Sequence, residues 1–162
     1  MNVEPTLALY QNWSANALVV SATFIAVAAV VLVHYEGLVA LSMRLAGRNG
    51  QRRRKVLYAI AAILVLHIVE IWIFGLTCWL LLMWPACGHI EGAPNLNLFD
   101  AVYLSAVTYS TVGFGDLAPV GVVRFLIGTE SLAGFVLITW SASFTYLEMA
   151  HFWDRLGSDH RR

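Results

Sequence analysis

The chain has 162 residues, of which 59% are hydrophobic and only 12% charged, with a formal net charge of zero. Soluble domains carry about 25% charged residues, so this composition excludes an ordinary water-soluble domain and describes one compact membrane protein. A neutral chain offers no electrostatic footprint for nucleic acid, and two cysteines, Cys78 and Cys87, are too few for a disulfide framework.

Met1 to Asn16 mixes Pro5, Tyr10 and Trp13 with polar residues and reads as an end lying at a membrane surface. Glu4 without Lys or Arg beside it lacks the basic start of a secretory leader. Ala17 to Val33 is an uncharged run, followed by His34, Tyr35, Glu36 and more apolar residues to Met43. A span needs about 20 mostly apolar residues, so this is the first transmembrane helix, with Glu36 snorkelling to an interface. Arg44 to Lys55 then holds six of the ten basic residues: Arg44, Arg48, Arg52, Arg53, Arg54 and Lys55. Short basic loops stay in the cytoplasm. The N-terminus is therefore expected outside, and anionic lipid is a candidate partner of the loop.

Val56 to Trp84 is the second expected span. Its one charge, Glu70, lies three residues after His67, on the same helix face. Such a pair at membrane depth faces protein, and it reads as a fastening to the first or third span in preference to a proton path. Pro85 to Asn97 is a short outer loop containing Cys87, which is either a free thiol or the source of an inter-subunit disulfide. Asn97 caps a segment with Asp100 in its first turn. Leu98 to Ser110 is too short to cross a bilayer. It fits a re-entrant helix whose C-terminal end, partially negative, points toward the membrane centre and favours a cation there.

Thr111-Val112-Gly113-Phe114-Gly115-Asp116 follows at once. To aim successive carbonyl oxygens the same way, a chain must alternate between right- and left-handed dihedrals. Glycine visits the left-handed half without steric cost and stands here at alternate positions. Leu117, Ala118 and Pro119 return the chain outward, and Val120 to Met149 is the third span, interrupted by Arg124 and Glu130. Trp153 suits an interface, and Glu148, Asp154, Arg155, Arg161 and Arg162 crowd a cytoplasmic C-terminal end. The reading divides the chain into residues 1–55 (surface segment, first helix, basic loop), 56–150 (second span, short helix, glycine-bearing hexapeptide and third span) and 151–162 (short cytoplasmic tail).

The hexapeptide, set between a short amphipathic segment and a long apolar one, resembles the selectivity filter of tetrameric potassium channels, with Phe114 in place of the commoner Tyr. From Val56 to about Met149 the chain is similar to that family's helix, pore helix, filter and helix module. The resemblance implies an all-α membrane protein: three transmembrane helices plus a re-entrant pore helix and selectivity-filter loop, assembled as a homotetramer around a central pore. It implies that the carbonyls of Thr111, Val112, Gly113 and Phe114, with Gly115 beside them and the Thr111 hydroxyl, line sites for K⁺ as permeant ion, with no cofactor, and that Asp116 sits at the outer mouth. Gly134 matches the hinge of inner helices, and Gly134, Phe135, Ile138 and Thr139 would face the cavity.

Phe114 lacks the hydroxyl that braces the family's filter; Leu104 stands where a second aromatic often appears, and Val107 where some members carry a carboxylate. Asp116 then needs another partner, and Tyr103 is within the pore helix to supply one. Glu130 has two readings: it reaches behind the filter toward Thr108 or Ser110, or it pairs with His67 or Arg124. No helix carries Arg at every third position, as a voltage sensor would, and thirteen residues after Met149 are too few for a ligand-binding domain. Regulation is then expected from the membrane, pH, the filter or a separate subunit. The leading expectation is passive K⁺ conduction. Its rivals are a weakly selective monovalent cation channel and a non-conducting channel partner subunit. An enzyme fits poorly, because no nucleophile–base pair, zinc motif or paired carboxylates stand at a workable spacing.

Overall fold

A computed structural model describes residues 11–46 and 52–159, with side chains for 11–46 and 54–150. Four helices dominate: α1 (Trp13–Ala46), α2 (Arg52–Leu82), α3 (Leu98–Tyr109) and α4 (Arg124–Asp159). Three of them, α1, α2 and α4, are long and apolar enough to cross a membrane. Helix α1 has 34 residues, about 50 Å at 1.5 Å per residue, so its ends overrun a hydrocarbon layer about 30 Å thick. No proline interrupts it.

Burial along α1 follows one narrow stripe: Ala15, Val19, Thr23, Ala26, Val30, His34, Leu38, Leu41 and Leu45. The steps of three and four residues put them on one face, packed on α2 and α4. Phe24, Ile25 and Leu32 on the other side are exposed, each above 60%. A water-soluble protein would not leave such a surface uncovered; a membrane protein does. The main core gathers Val19, Val30, Phe74, Cys78, Cys87, Tyr109, Val123, Leu126 and Leu137 from all four helices and the segment between α2 and α3. A second cluster, Leu38, Leu41, Leu45, Ala59 and Ile63, joins the adjoining ends of α1 and α2. There Lys55 donates to the Leu45 carbonyl at 3.0 Å, satisfying an otherwise orphaned acceptor at the α1 terminus.

The short helix α3 starts where the sequence places it. Asn97 Oδ1 accepts from the Asp100 amide at 3.0 Å, and the Asp100 carboxylate accepts from the Asn97 amide at 3.2 Å, a reciprocal capping box. It packs between α2 and α4.

The outer segments depart from the expected plain loops. A 3-10 turn, Pro85–Cys87, leads into β1 (His89–Glu91), which pairs antiparallel with β2 (Ala118–Val120) in the register His89↔Val120, Ile90↔Pro119, Glu91↔Ala118. The Val123 amide donates to the Cys87 carbonyl at 2.9 Å, extending this clasp into the start of α4. Strand pairing holds residues 118–120 extended, so α4 begins at Arg124 and not at Val120. Cys87 is fully buried within the clasp and remains a free thiol, as does Cys78. Burial pushes the Cys87 thiol up, and neither cysteine is exposed on the surface of the single chain. At the other end α4 continues through residue 150 to Asp159, so the backbone does not break where the tail was expected. The expectations for Met1 to Tyr10, for Arg48, for the side chains of Arg52, Arg53, Trp153, Asp154 and Arg155, and for Arg161 and Arg162 lie outside the described residues.

Candidate ion-conduction site

Helix α3 ends at Tyr109, and the next residues form an extended ribbon. Thr111, Gly113 and Gly115 have φ of 59°, 50° and 78°, while Val112 and Phe114 between them keep negative φ. Every second residue is therefore left-handed. The glycines take that region without penalty. Thr111 takes it at a cost that an L-residue avoids unless its surroundings impose it. The imposing contacts are hydrogen bonds to the last turn of α3: Thr111 N donates to the Thr108 carbonyl at 2.9 Å, and Gly113 N to the Val107 carbonyl at 3.0 Å. Val107 thus supports the ribbon through its backbone, with its side chain buried in the core.

Beyond these bonds the ribbon packs against little of its own chain. Thr111 to Asp116 are all exposed; Val112 is 57% and Phe114 71% accessible. A methyl built on Gly113 or Gly115 would meet nothing within 4 Å. The exit of the ribbon is held by Tyr103, whose hydroxyl donates to Asp116 Oδ2 at 2.8 Å, the partner that the missing carboxylate at Val107 left open. This bond to a carboxylate raises the Tyr103 phenol above its ordinary range.

Behind the ribbon the polar side chains sort differently from the sequence reading. Glu130 is fully buried and accepts from the Ser105 hydroxyl, which also lies 2.8 Å from the Ile71 carbonyl. It reaches the pore helix, but one turn earlier than Thr108 or Ser110, and it meets neither His67 nor Arg124. Ser110 spends its hydroxyl on the Ala106 carbonyl of its own helix at 2.7 Å, and Thr108 is half-buried. Gly134 is also placed differently from the cavity-facing stripe. A Cβ there would stand 2.2 Å from the Tyr109 carbonyl oxygen, so Gly134 lets α4 press against the end of α3. Phe135, Ile138 and Thr139 lie on an exposed part of α4, turned away from that contact. The Thr139 hydroxyl bonds back to the Phe135 and Val136 carbonyls at 2.9 and 2.8 Å.

Glu70 fastens helices, as its pairing with His67 suggested, but through residues the sequence reading passed over. Its Oε1 lies 2.8 Å from His34 Nδ1 of α1. Its Oε2 accepts from the Tyr109 hydroxyl of α3 and lies 2.9 Å from His67 Nδ1, which is itself 3.0 Å from that hydroxyl. Both Glu70 and His34 are fully buried. A lone histidine inside an apolar run was the available signal, since an ionisable group at that depth needs a partner. The ligand atoms of His34, His67 and Glu70 lie within 4.8 Å of one another, close enough for a transition metal to bridge. His34 Nδ1, His67 Nδ1 and both Glu70 oxygens are already engaged in hydrogen bonds within the cluster.

Two similarities bear on what this arrangement is. Residues 60–149, more than half of the chain, match the family model described as Ion channel, the two-helix domain of potassium-channel type. The matched stretch contains α3, the ribbon and most of α2 and α4, and leaves α1 outside. Among curated proteins the chain is 36% identical over 59 residues to Protein LctB of Bacillus caldotenax, covering 31% of this chain and 44% of that one. It is 42% identical over 53 residues to Protein LctB of Geobacillus stearothermophilus, covering 33% of this chain and 40% of that one. The chain thus spans less than half the length of the curated relatives it matches. No solved structure matches significantly. With that family model matched over more than half of its length, the chain belongs to the ion channel family.

Proposed function

We propose that this chain is one subunit of a potassium-selective channel, in which four copies bring four ribbons around a common axis. The observation that carries the reading is the left-handed, right-handed alternation over residues 111–115 in a segment left bare by its own chain. That alternation is the backbone device that turns successive carbonyls to one side. An unpacked ribbon of this kind is completed by symmetry mates. K⁺ exchanges its hydration shell for carbonyl oxygens of Thr111, Val112, Gly113 and Phe114 and the Thr111 hydroxyl, passing Asp116 at the outer mouth. Helix α3 lies re-entrant, its negative terminus turned to the ion path. The basic loop between α1 and α2 faces the cytoplasm beside anionic lipid, with the N-terminus outside and the C-terminus inside. The chemistry is passive conduction without a covalent step.

Flux from liposomes holding the purified protein tests this. K⁺ efflux blocked by Ba²⁺ and exceeding Na⁺ efflux at least tenfold is expected. Equal Na⁺ and K⁺ fluxes indicate a weakly selective cation channel, and a folded tetramer without flux indicates a partner subunit; either result overturns the proposal.

A further inference from the structure

Helix α1 lies outside the family-matched region, yet its buried stripe carries one ionisable side chain, His34. The ring binds Glu70 Oε1 through Nδ1 at 2.8 Å. Its Nε2 is buried with no hydrogen-bond partner, and its face lies 5.2 Å, centroid to centroid, from the Trp140 ring on α4. An unpartnered buried nitrogen is a cost that a leucine or phenylalanine filling the same space would avoid. The benefit that offsets it lies on the other side of the ring.

Glu70 Oε2 accepts from Tyr109, the last residue of α3 and two residues before the first left-handed residue, Thr111. Tyr109 is thus gripped at both ends. Its hydroxyl is held by Glu70, and its carbonyl abuts the bare backbone of Gly134. His67 lies 2.9 Å from that same Oε2, and His34 holds the other oxygen, so the carboxylate that orients the hydroxyl is fixed at both ends.

We propose that His34 is a positioning residue for the ribbon: acting through Glu70 on Tyr109, it ties the additional helix α1 to the base of residues 111–116. This rests on the channel reading above. Removing His34 frees Oε1, the carboxylate can turn about its remaining contact with His67, and the Tyr109 hydroxyl loses its fixed acceptor. The ribbon then starts from a less defined point, and the ion whose fit tolerates that least loses its advantage. The expected defect is therefore in selectivity and not in assembly.

The test uses the full chain in liposomes, reading the ratio of K⁺ to Na⁺ flux together with the thermal midpoint of the assembly. His34→Leu removes the donor, His34→Gln keeps one, Tyr109→Phe removes the far end of the relay, and the double variant His34→Leu/Tyr109→Phe tests whether the two act through one path. His34→Leu and Tyr109→Phe should each lower the flux ratio by about tenfold, the scale of a hydrogen bond to a charged group. His34→Gln should stay within about twofold of the parent, and the double variant should be no worse than either single one. If His34→Leu does not assemble, His34→Phe removes the donor while filling the space with a ring, and a parental ratio there overturns the relay while a reduced one supports it. A parental ratio in assembled His34→Leu or Tyr109→Phe, or losses that multiply in the double variant, overturns the relay. So does a flux ratio that responds to EDTA or added Zn²⁺, which would assign the cluster to a metal. Failure of the parent chain to favour K⁺ overturns the channel reading instead, and is seen before any variant is made.

Discussion

The two faces of residues 109–116 are built from opposite materials. In front, the ribbon offers bare backbone: exposed side chains, two glycines with open space before them, and ties to α3 at Thr111, Gly113 and Asp116. Behind it, the last turns of α3 are set among buried polar side chains: Tyr109 with Glu70, His67 and His34, and Ser105 with Glu130. Buried hydrogen-bonded networks are stiff because an unmade bond there costs the full desolvation of its members. On the channel reading proposed above, the front face is free to bind and release an ion, and the back face supplies the rigidity that the front cannot provide for itself.

The sharpest way to break that contrast is to alter the front without touching the back. Gly113→Ala places a β-carbon at φ 50°, a region costing an L-residue about 1–2 kcal/mol, in each copy of the ribbon. The new methyl meets no atom of its own chain, so the protomer has no clash to relieve. We expect K⁺ flux to fall below detection in liposomes while expression and thermal midpoint change little. Retained flux would show that the alternation is not what conducts.

Gly134→Ala attacks the seam between the faces. Its methyl would lie 2.2 Å from the Tyr109 carbonyl oxygen and 2.9 Å from the Tyr109 ring. Backbone cannot step aside as a flexible side chain does, so α4 must move from α3. Overpacking of this kind costs about 1–3 kcal/mol. The expected result is a lower thermal midpoint together with reduced flux, whereas Gly113→Ala loses flux with little change in midpoint. If the two variants behave alike, the front and back are one mechanical unit.

How much of this was legible in the sequence follows the range of each interaction. The capping box at Asn97 and Asp100 is three residues long, and the two glycines declare their own dihedrals, so both could be read directly. The third left-handed residue, Thr111, could not, because threonine disfavours that region and only its bond to Thr108 forces it there. The three-residue strands 89–91 and 118–120 are too short to show a period. Glu70 announced a fastening, but its partners His34 and Tyr109 lie 36 and 39 residues away, and nothing local encodes that separation. Glu130 meets Ser105, one helical turn before Thr108, because the relative depth of α3 and α4 is set by packing at Gly134 and Tyr109.

The mildest test concerns the outer edge, where the stiff support gives way to solvent. The Tyr103 hydroxyl donates to Asp116 at 2.8 Å, and both residues are exposed. Bonds in such surroundings are weak because water competes for both partners. Tyr103→Phe should therefore change the K⁺ to Na⁺ flux ratio by no more than about fivefold, less than loss of the buried Tyr109 hydroxyl. The bond also carries a pH signature with a defined sign. Its donor is the protonated phenol, which the hydrogen bond to Asp116 holds above the ordinary phenol range. The stabilisation is fully present below the unfolded phenol's titration and is lost as pH rises through the higher folded one. Parental flux should be insensitive to this bond from neutral pH to about 9 and should weaken only in stronger alkali, a decline that Tyr103→Phe abolishes. An equal decline in both proteins would place the alkaline limit elsewhere, and the rigid rear support would then need no help from the rim.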